Sequence, residues 1–131
     1  MSRILVVEDE PLNVEILKRL LTRKSHDVLI ANNKEDAVAM AMAERPDLIL
    51  MDIGIPNAPG EETNPYGGVD AVRLLKAAEA TLAIPIIAIT ASAMTDEQKR
   101  FLEAGCDAVQ TKPFEFVPLL ETIESKLAIG K

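Results

Sequence analysis

Ile4-Leu5-Val6-Val7-Glu8-Asp9-Glu10-Pro11 is the stretch from which the fold of this chain is read. Four consecutive apolar residues, with no polar alternation, describe a strand buried on both faces. Three carboxylates come immediately after. Pro11 then stands where a first helical residue would, because its missing N–H is not needed there. Leu12, Ile16, Leu17, Leu20 and Leu21 continue at helical spacing. The unit is a strand, an acidic turn and a helix.

Outward from that unit the pattern recurs. Val28-Leu29-Ile30-Ala31 reads as a second strand, and Asn33 as the N-cap of a helix with Ala37, Val38, Ala41 and Met42 on its apolar face. Leu48-Ile49-Leu50-Met51 is a third strand ending on Asp52, and a third helix is expected from about Val69 to Ala80, with Val69, Val72, Leu75 and Ala78 on one face. Ile86-Ile87-Ala88-Ile89 is a fourth strand. Thr95-Asp96-Glu97-Gln98 has the form of a capping box opening a fourth helix that stops at Gly105. Ala108-Val109-Gln110-Thr111 is a weaker fifth strand. The last helix runs from Phe116 to Leu127, with Val117, Leu120, Ile123 and Leu127 inward. Strands and helices in strict alternation predict an α/β fold, a five-stranded parallel sheet covered on both faces. The one irregular segment is the loop from Ile53 to Gly67, far longer than the roughly 2–6 residues of an ordinary βα connection.

Composition narrows the function. The 131 residues suit one domain, 1–131. The net charge of −7 disfavours nucleic acid, whose phosphates it would repel. No run of about 20 apolar residues is present to span a bilayer, and Met1-Ser2-Arg3 leads straight into a strand without an apolar export signal. Cys106 is the only cysteine, so no intramolecular disulfide forms, and a reducing cytoplasm is the expected compartment. The chain ends just after the fifth helix, so no output domain is expected.

Parallel α/β sheets bind their ligands beyond the carboxyl ends of the strands. In this chain the five strands lead, in order, into Glu8-Asp9-Glu10, Asn32-Asn33, Asp52, Thr90-Ala91-Ser92 and Lys112-Pro113. Taken singly, each residue has an ordinary reading as a cap, a turn or a solvated side chain. Jointly they do not. Glu8, Asp9 and Asp52 fall on neighbouring strands about 4.8 Å apart, and two like charges at 4 Å repel by about 4 kcal/mol at an effective dielectric of 20. Against a fold stability of about 5–15 kcal/mol, such a cluster needs a cation or a raised pKa. Carboxylate oxygens with no histidine or cysteine beside them favour Mg²⁺. Lys112 then suits a phosphoryl group as a point charge, Thr90 as its hydrogen-bond partner, and Asp52 as a nucleophile forming an acyl phosphate.

With Val6-Val7-Glu8-Asp9-Glu10, Asp47-Leu48-Ile49-Leu50-Met51-Asp52-Ile53, Ile89-Thr90-Ala91 and Gly105-Cys106-Asp107 leading to Lys112-Pro113, the sequence resembles the receiver domain of two-component response regulators over essentially its whole length. It is similar both to single-domain receivers and to the receivers of hybrid histidine kinases. The resemblance implies a doubly wound, flavodoxin-like (βα)5 fold of strand order 2-1-3-4-5. It implies that Asp52 takes a phosphoryl group from a histidine kinase or histidine phosphotransfer protein. Asp9, Asp52 and the Gly54 carbonyl would hold Mg²⁺, with Glu8 assisting. Lys112 would contact the phosphoryl oxygens, and Thr90, with Ala91 beside it, would move toward them. The Lys112-Pro113 bond is expected to be cis. Output would be protein–protein contact, with a homodimer through the fourth helix, fifth strand and fifth helix as one form of it.

Three features depart from the family pattern. Val109 stands where many relatives carry a switch Tyr or Phe. The loop after Asp52 is about eight residues longer than usual, the extra ones lying between Asn57 and Tyr66, against the roughly 2–6 of an ordinary connection. Gly54 has no side chain where relatives often place one that tunes hydrolysis; Ser92 is the other such position. The long loop is a tolerated surface insertion on one reading, and a partner-docking or site-covering element on the other, with Glu61, Glu62 and Tyr66 near the acceptor. His26, the only histidine, is expected in a surface structural role, and Cys106 as a partly buried, inert thiol. Leu12, Val14, Leu17 and Leu21 are candidates for core, Val14 also for an exposed contact. Two rival readings are a degenerate receiver that only binds and a small Mg-dependent phosphohydrolase; the latter would want an acid where Gly54 stands. A flavin module would need a phosphate-cradling loop where Glu8-Asp9-Glu10 is.

Overall fold

The apolar runs become strands in the expected order. A computed structural model describes residues 2–91, 94–112 and 115–129. Its elements are β1 (Arg3–Val7), α1 (Pro11–Arg23), β2 (Asp27–Ala31), α2 (Lys34–Glu44), β3 (Leu48–Asp52), β4 (Ile55–Pro56), β5 (Thr63–Asn64), α3 (Gly67–Ala77), β6 (Ile86–Thr90), α4 (Thr95–Ala104), β7 (Ala108–Thr111) and α5 (Phe116–Ile129). The main sheet is parallel throughout, in the order β2-β1-β3-β6-β7. This is the expected 2-1-3-4-5 topology, renumbered because two short strands, β4 and β5, form inside the long loop.

Alternate strand residues feed two cores. Leu5, Val7, Ile49, Met51, Ile86 and Ala88 pack with Ala37 and Ala41 of α2, Val72 and Leu75 of α3, and Phe101 of α4. Ile4, Val6, Leu48, Leu50, Ile87 and Ile89 pack with Leu17 and Leu21 of α1 and Leu119, Ile123 and Leu127 of α5. Both faces of the sheet are thus covered, which is why the central strands carry no polar alternation. Register levels the strand ends: Val7 lies beside Met51, Asp52 beside Ile89, and Thr90 beside Thr111. Glu8, Asp52, Thr90 and Lys112 therefore leave the sheet at one edge.

Local chemistry sets most boundaries. Glu10 caps α1 with Pro11 in its first turn, and Asn33 caps α2 by accepting the Asp36 N–H at 2.8 Å. Gly105 ends α4 at a φ of 122°, where an added Cβ would lie 2.7 Å from Lys76 Cγ. Four details differ from the sequence reading. Helix α3 spans Gly67–Ala77 rather than about Val69 to Ala80. The capping box does not form: Met94 is the N-cap of α4, without a side-chain cap hydrogen bond, and Thr95 is already helical. On α5, Val117 is exposed and Leu119 takes the inward place. Leu12 is exposed at the start of α1, while Val14 is half-buried.

Candidate functional site

Backbone pairing carries the strand geometry past the sheet and into the site. Glu8 N–H donates to the Ala31 carbonyl at 3.0 Å, and the Lys112 N–H donates to the Thr90 carbonyl at 2.8 Å. Asn32 Nδ2 holds the Glu8 carbonyl at 2.9 Å. The Ile53 N–H donates to Ile89, and the Gly68 N–H donates to Ile53, which draws the start of α3 under the end of β3. A Cβ on Gly68 would sit 2.3 Å from the Asp52 carbonyl oxygen, so glycine is required for that approach.

The side chains converge. Lys112 Nζ lies 2.9 Å from Asp52 Oδ2 and 3.2 Å from Glu8 Oε1. Carboxylate oxygens of Glu8, Asp9 and Asp52 all fall within 4.8 Å of one another. Glu8 is 1% exposed, Asp52 7% and Thr90 6%, while Asp9 is half-buried. Burial, with the hydrogen bond and charge of Asp52, pushes the Glu8 carboxyl up to about 7, against the opposing pull of Lys112. Burial alone would lower Lys112; its bond to Asp52 and the charges of Asp52 and Glu8 outweigh that and hold its ammonium above the ordinary range. Three carboxylates around one ammonium leave an excess of negative charge. The donor set is entirely hard oxygen, which fits a divalent cation of the Mg²⁺ type.

A cleft of about 410 Å³ opens over these groups, lined by Asp9, Asp52, Gly54, Thr90, Ala91 and Lys112 together with Thr63, Pro65, Tyr66, Glu97 and Phe101. The arrangement suits nucleophilic chemistry at Asp52, whose carboxylate stands on the cleft floor with a cation already at one oxygen. Val109 faces elsewhere: it packs against the core between the sheet and α2, α3 and α4. Ser92 and the Lys112-Pro113 bond lie outside the described residues. Sequence reasoning missed Thr63, Pro65, Glu97 and Phe101 as cleft residues. Thr63 carries no signal of its own, since it reaches the site only because the long loop folds into an antiparallel ribbon, β4 with β5.

The remaining candidates fall into place as structure. Cys106 is buried rather than partly buried, and burial with the Asp107 charge pushes its thiol up to about 12. His26 corrects its expectation: its side chain is only 8% exposed, enclosed beside Leu127 and Ala128 with Glu124 Oε1 3.7 Å from Nε2. Among the described residues no helix is long and apolar enough to cross a membrane.

Comparison with known proteins agrees with this geometry. The sequence profile of the response regulator receiver domain matches residues 4–124. The polar-differentiation response regulator DivK of Brucella anthropi is 33% identical over 124 residues, covering 95% of this chain and 94% of its own. The receiver domain of the sensor histidine kinase PA1611 from Pseudomonas aeruginosa PAO1, crystallised with a magnesium ion coordinated in its active-site cleft, superposes with a TM-score of 0.84 at 30% identity, covering 97% of this chain and 98% of that one. The receiver domain of a signal transduction histidine kinase from Syntrophus aciditrophicus gives 0.83 at 30% identity, covering 98% and 91%.

Proposed function

The chain belongs to the response regulator receiver domain family, and on that premise we propose that it is a Mg-dependent phosphoacceptor in a two-component phosphorelay, with Asp52 as the acceptor. The observation that carries this reading is the part-buried contact of Lys112 with both Asp52 and Glu8, beside Asp9, at the carboxyl edge of a parallel sheet.

Glu8, Asp9 and Asp52, with the carbonyl of Gly54, would hold Mg²⁺, which when bound supplies positive charge against the transferring phosphoryl group. The donor is a phosphohistidine on a histidine kinase or phosphotransfer protein. An Asp52 carboxylate oxygen attacks phosphorus, the P–N bond breaks, and the imidazole leaves with that electron pair, so an acyl phosphate forms and the phosphoryl group is conserved. Lys112 releases its carboxylate partner and moves with the charge onto the phosphoryl oxygens. Thr90, one residue beyond the Ile89 that pairs with Asp52 on the next strand, donates its hydroxyl to them. That exchange of partners is the local event whose readout is contact with another protein, on the surface of α4, β7 and α5 or through a homodimer formed there. Water attack on the same phosphorus returns the free carboxylate, and no other substrate turns over. The protein works in the cytoplasm.

Incubation with Mg²⁺ and acetyl phosphate, then intact-mass spectrometry, tests the reading. One added phosphoryl group is expected, absent in Asp52→Asn and absent with a chelator. If the protein neither binds Mg²⁺ nor takes a phosphoryl group from acetyl phosphate or from a phosphohistidine protein, it is a binding module and the proposal fails.

A further inference from the structure

The long loop after Asp52 is built, not slack. Ile53 and Ile55 are buried in the core. Asn64 Nδ2 donates to Asn57 Oδ1 across the ribbon at 2.9 Å, and the Asn57 carbonyl accepts the Glu35 N–H at 3.0 Å, tying the ribbon to the first turn of α2. Gly67 lies so close beneath Ile55 that a Cβ there would stand 2.5 Å from the Ile55 carbonyl oxygen. These anchors fix where β5 meets the site. Thr63 Oγ1 donates to Asp9 Oδ2 at 3.4 Å, and Thr63 Cγ2 lies 3.8 Å from the place a Cβ on Gly54 would take. The inserted threonine thus covers the bare backbone at residue 54 and holds the half-buried carboxylate of the acid cluster.

We propose that Thr63 is a positioning residue for Asp9: the ribbon β4–β5 delivers its hydroxyl to Oδ2, and this contact sets the affinity of the acid cluster for its cation. The inference rests on the receiver reading of the site. Its physical basis is preorganisation. Glu8 and Asp52 are fixed by burial and by Lys112, whereas among the described residues Thr63 is the side chain seen to hydrogen-bond the Asp9 carboxylate. A carboxylate already oriented by an outer hydroxyl gives up less rotational freedom when a cation arrives, and it keeps a free oxygen to offer.

Isothermal titration of the whole chain with Mg²⁺ provides the test, with Thr63→Val, which keeps the branched shape and loses the hydroxyl, and Thr63→Ser, which keeps the hydroxyl. A single hydrogen bond to a partly exposed carboxylate predicts a Kd about 3- to 10-fold weaker in Thr63→Val and a near wild-type Kd in Thr63→Ser. Labelling of Thr63→Val by acetyl phosphate should be slowed at subsaturating Mg²⁺ and recover at saturating Mg²⁺, as a change in cation affinity requires, and recovery of the Kd in Thr63→Ser assigns that change to the hydroxyl. Equal Kd values in wild type and Thr63→Val, tighter binding in Thr63→Val, or equal weakening in both variants would each overturn the role of Thr63 while leaving the acceptor reading intact. Failure of the wild type itself to bind Mg²⁺ or to accept a phosphoryl group removes the acceptor reading and this inference together.

Discussion

Two lysines stand beside aspartates at opposite ends of this sheet, and their surroundings separate a brace from a site. Lys76 Nζ donates to the Ile84 carbonyl at 2.8 Å, to the Leu82 carbonyl at 3.2 Å and to Asp107 Oδ2 at 3.3 Å. The same Asp107 oxygen accepts the Ile86 N–H at 2.8 Å. One ammonium meets one carboxylate, and carbonyls take the remaining protons, so the connection from α3 into β6 is pinned to the start of β7 with its charges balanced. Lys112 instead meets Asp52 and Glu8, with Asp9 within the same 4.8 Å cluster. There the charge does not balance, and such an excess is answered by a cation or by a carboxyl that keeps its proton, as the raised Glu8 does.

The largest expected effects test that division directly. Asp107→Ala strips the Ile86 N–H and Lys76 of a shared charged acceptor and should cost about 2–3 kcal/mol in urea denaturation, while phosphoryl acceptance persists in the folded fraction. Asp52→Asn should abolish acceptance and yet leave metal-free stability unchanged or raised by about 1 kcal/mol, because a crowded charge is removed. If Asp52→Asn costs as much as Asp107→Ala, the two lysines do the same work and the distinction collapses.

A smaller effect sharpens it. A ligand that binds the folded state at tenfold its Kd stabilises by about 1.4 kcal/mol. Mg²⁺ at that concentration should raise the thermal midpoint of the wild type and of Asp107→Ala equally. Asp9→Asn should lose most of the rise. An equal rise in Asp9→Asn would place the cation elsewhere.

The sequence made the sheet and the acid cluster legible because both depend on position along short runs. Continuous apolar tetrads had to be buried on both faces, and the residues just beyond them had to meet at one edge. What it left ambiguous depends on contacts between distant segments. Val117, Leu119 and Leu120 offer α5 more than one apolar face, and only packing against Ile4 and Val6 selects Leu119. The start of α4 moved by one residue, a difference within the reach of a cap worth about 1 kcal/mol. His26 looked like a surface residue because nothing local foretold that α5 would cover it. Thr63 was invisible for the same reason. Polar residues in a loop carry no period, and its place at the cleft depends on a ribbon that Asn57, Asn64, Gly67 and Gly68 build together.

The smallest expected effect is a slope with pH, and its sign is set by Glu8. Its carboxyl is raised from 4.5 to about 7 by burial and by Asp52, so the folded state holds a proton that the unfolded chain releases earlier. The stabilisation this gives is complete below about pH 4.5 and is lost as pH rises through 7. The metal-free protein should therefore become less stable between pH 5 and 8, by about 1 kcal/mol once solvent screening and the pull of Lys112 are allowed for. Lys112 contributes no slope in that window, since its raised pKa puts its own loss of charge at higher pH. Urea midpoints in a chelator at pH 5, 6, 7 and 8 would measure the slope, and Glu8→Gln, which removes the titrating carboxyl, shows how much of it belongs to Glu8. Saturating Mg²⁺ should flatten or reverse the slope, because a bound cation favours the ionised carboxylate and removes the reason for holding the proton. A metal-free slope that survives Glu8→Gln would locate the proton at another group and leave the excess charge around Lys112 to be borne by ionised carboxylates alone.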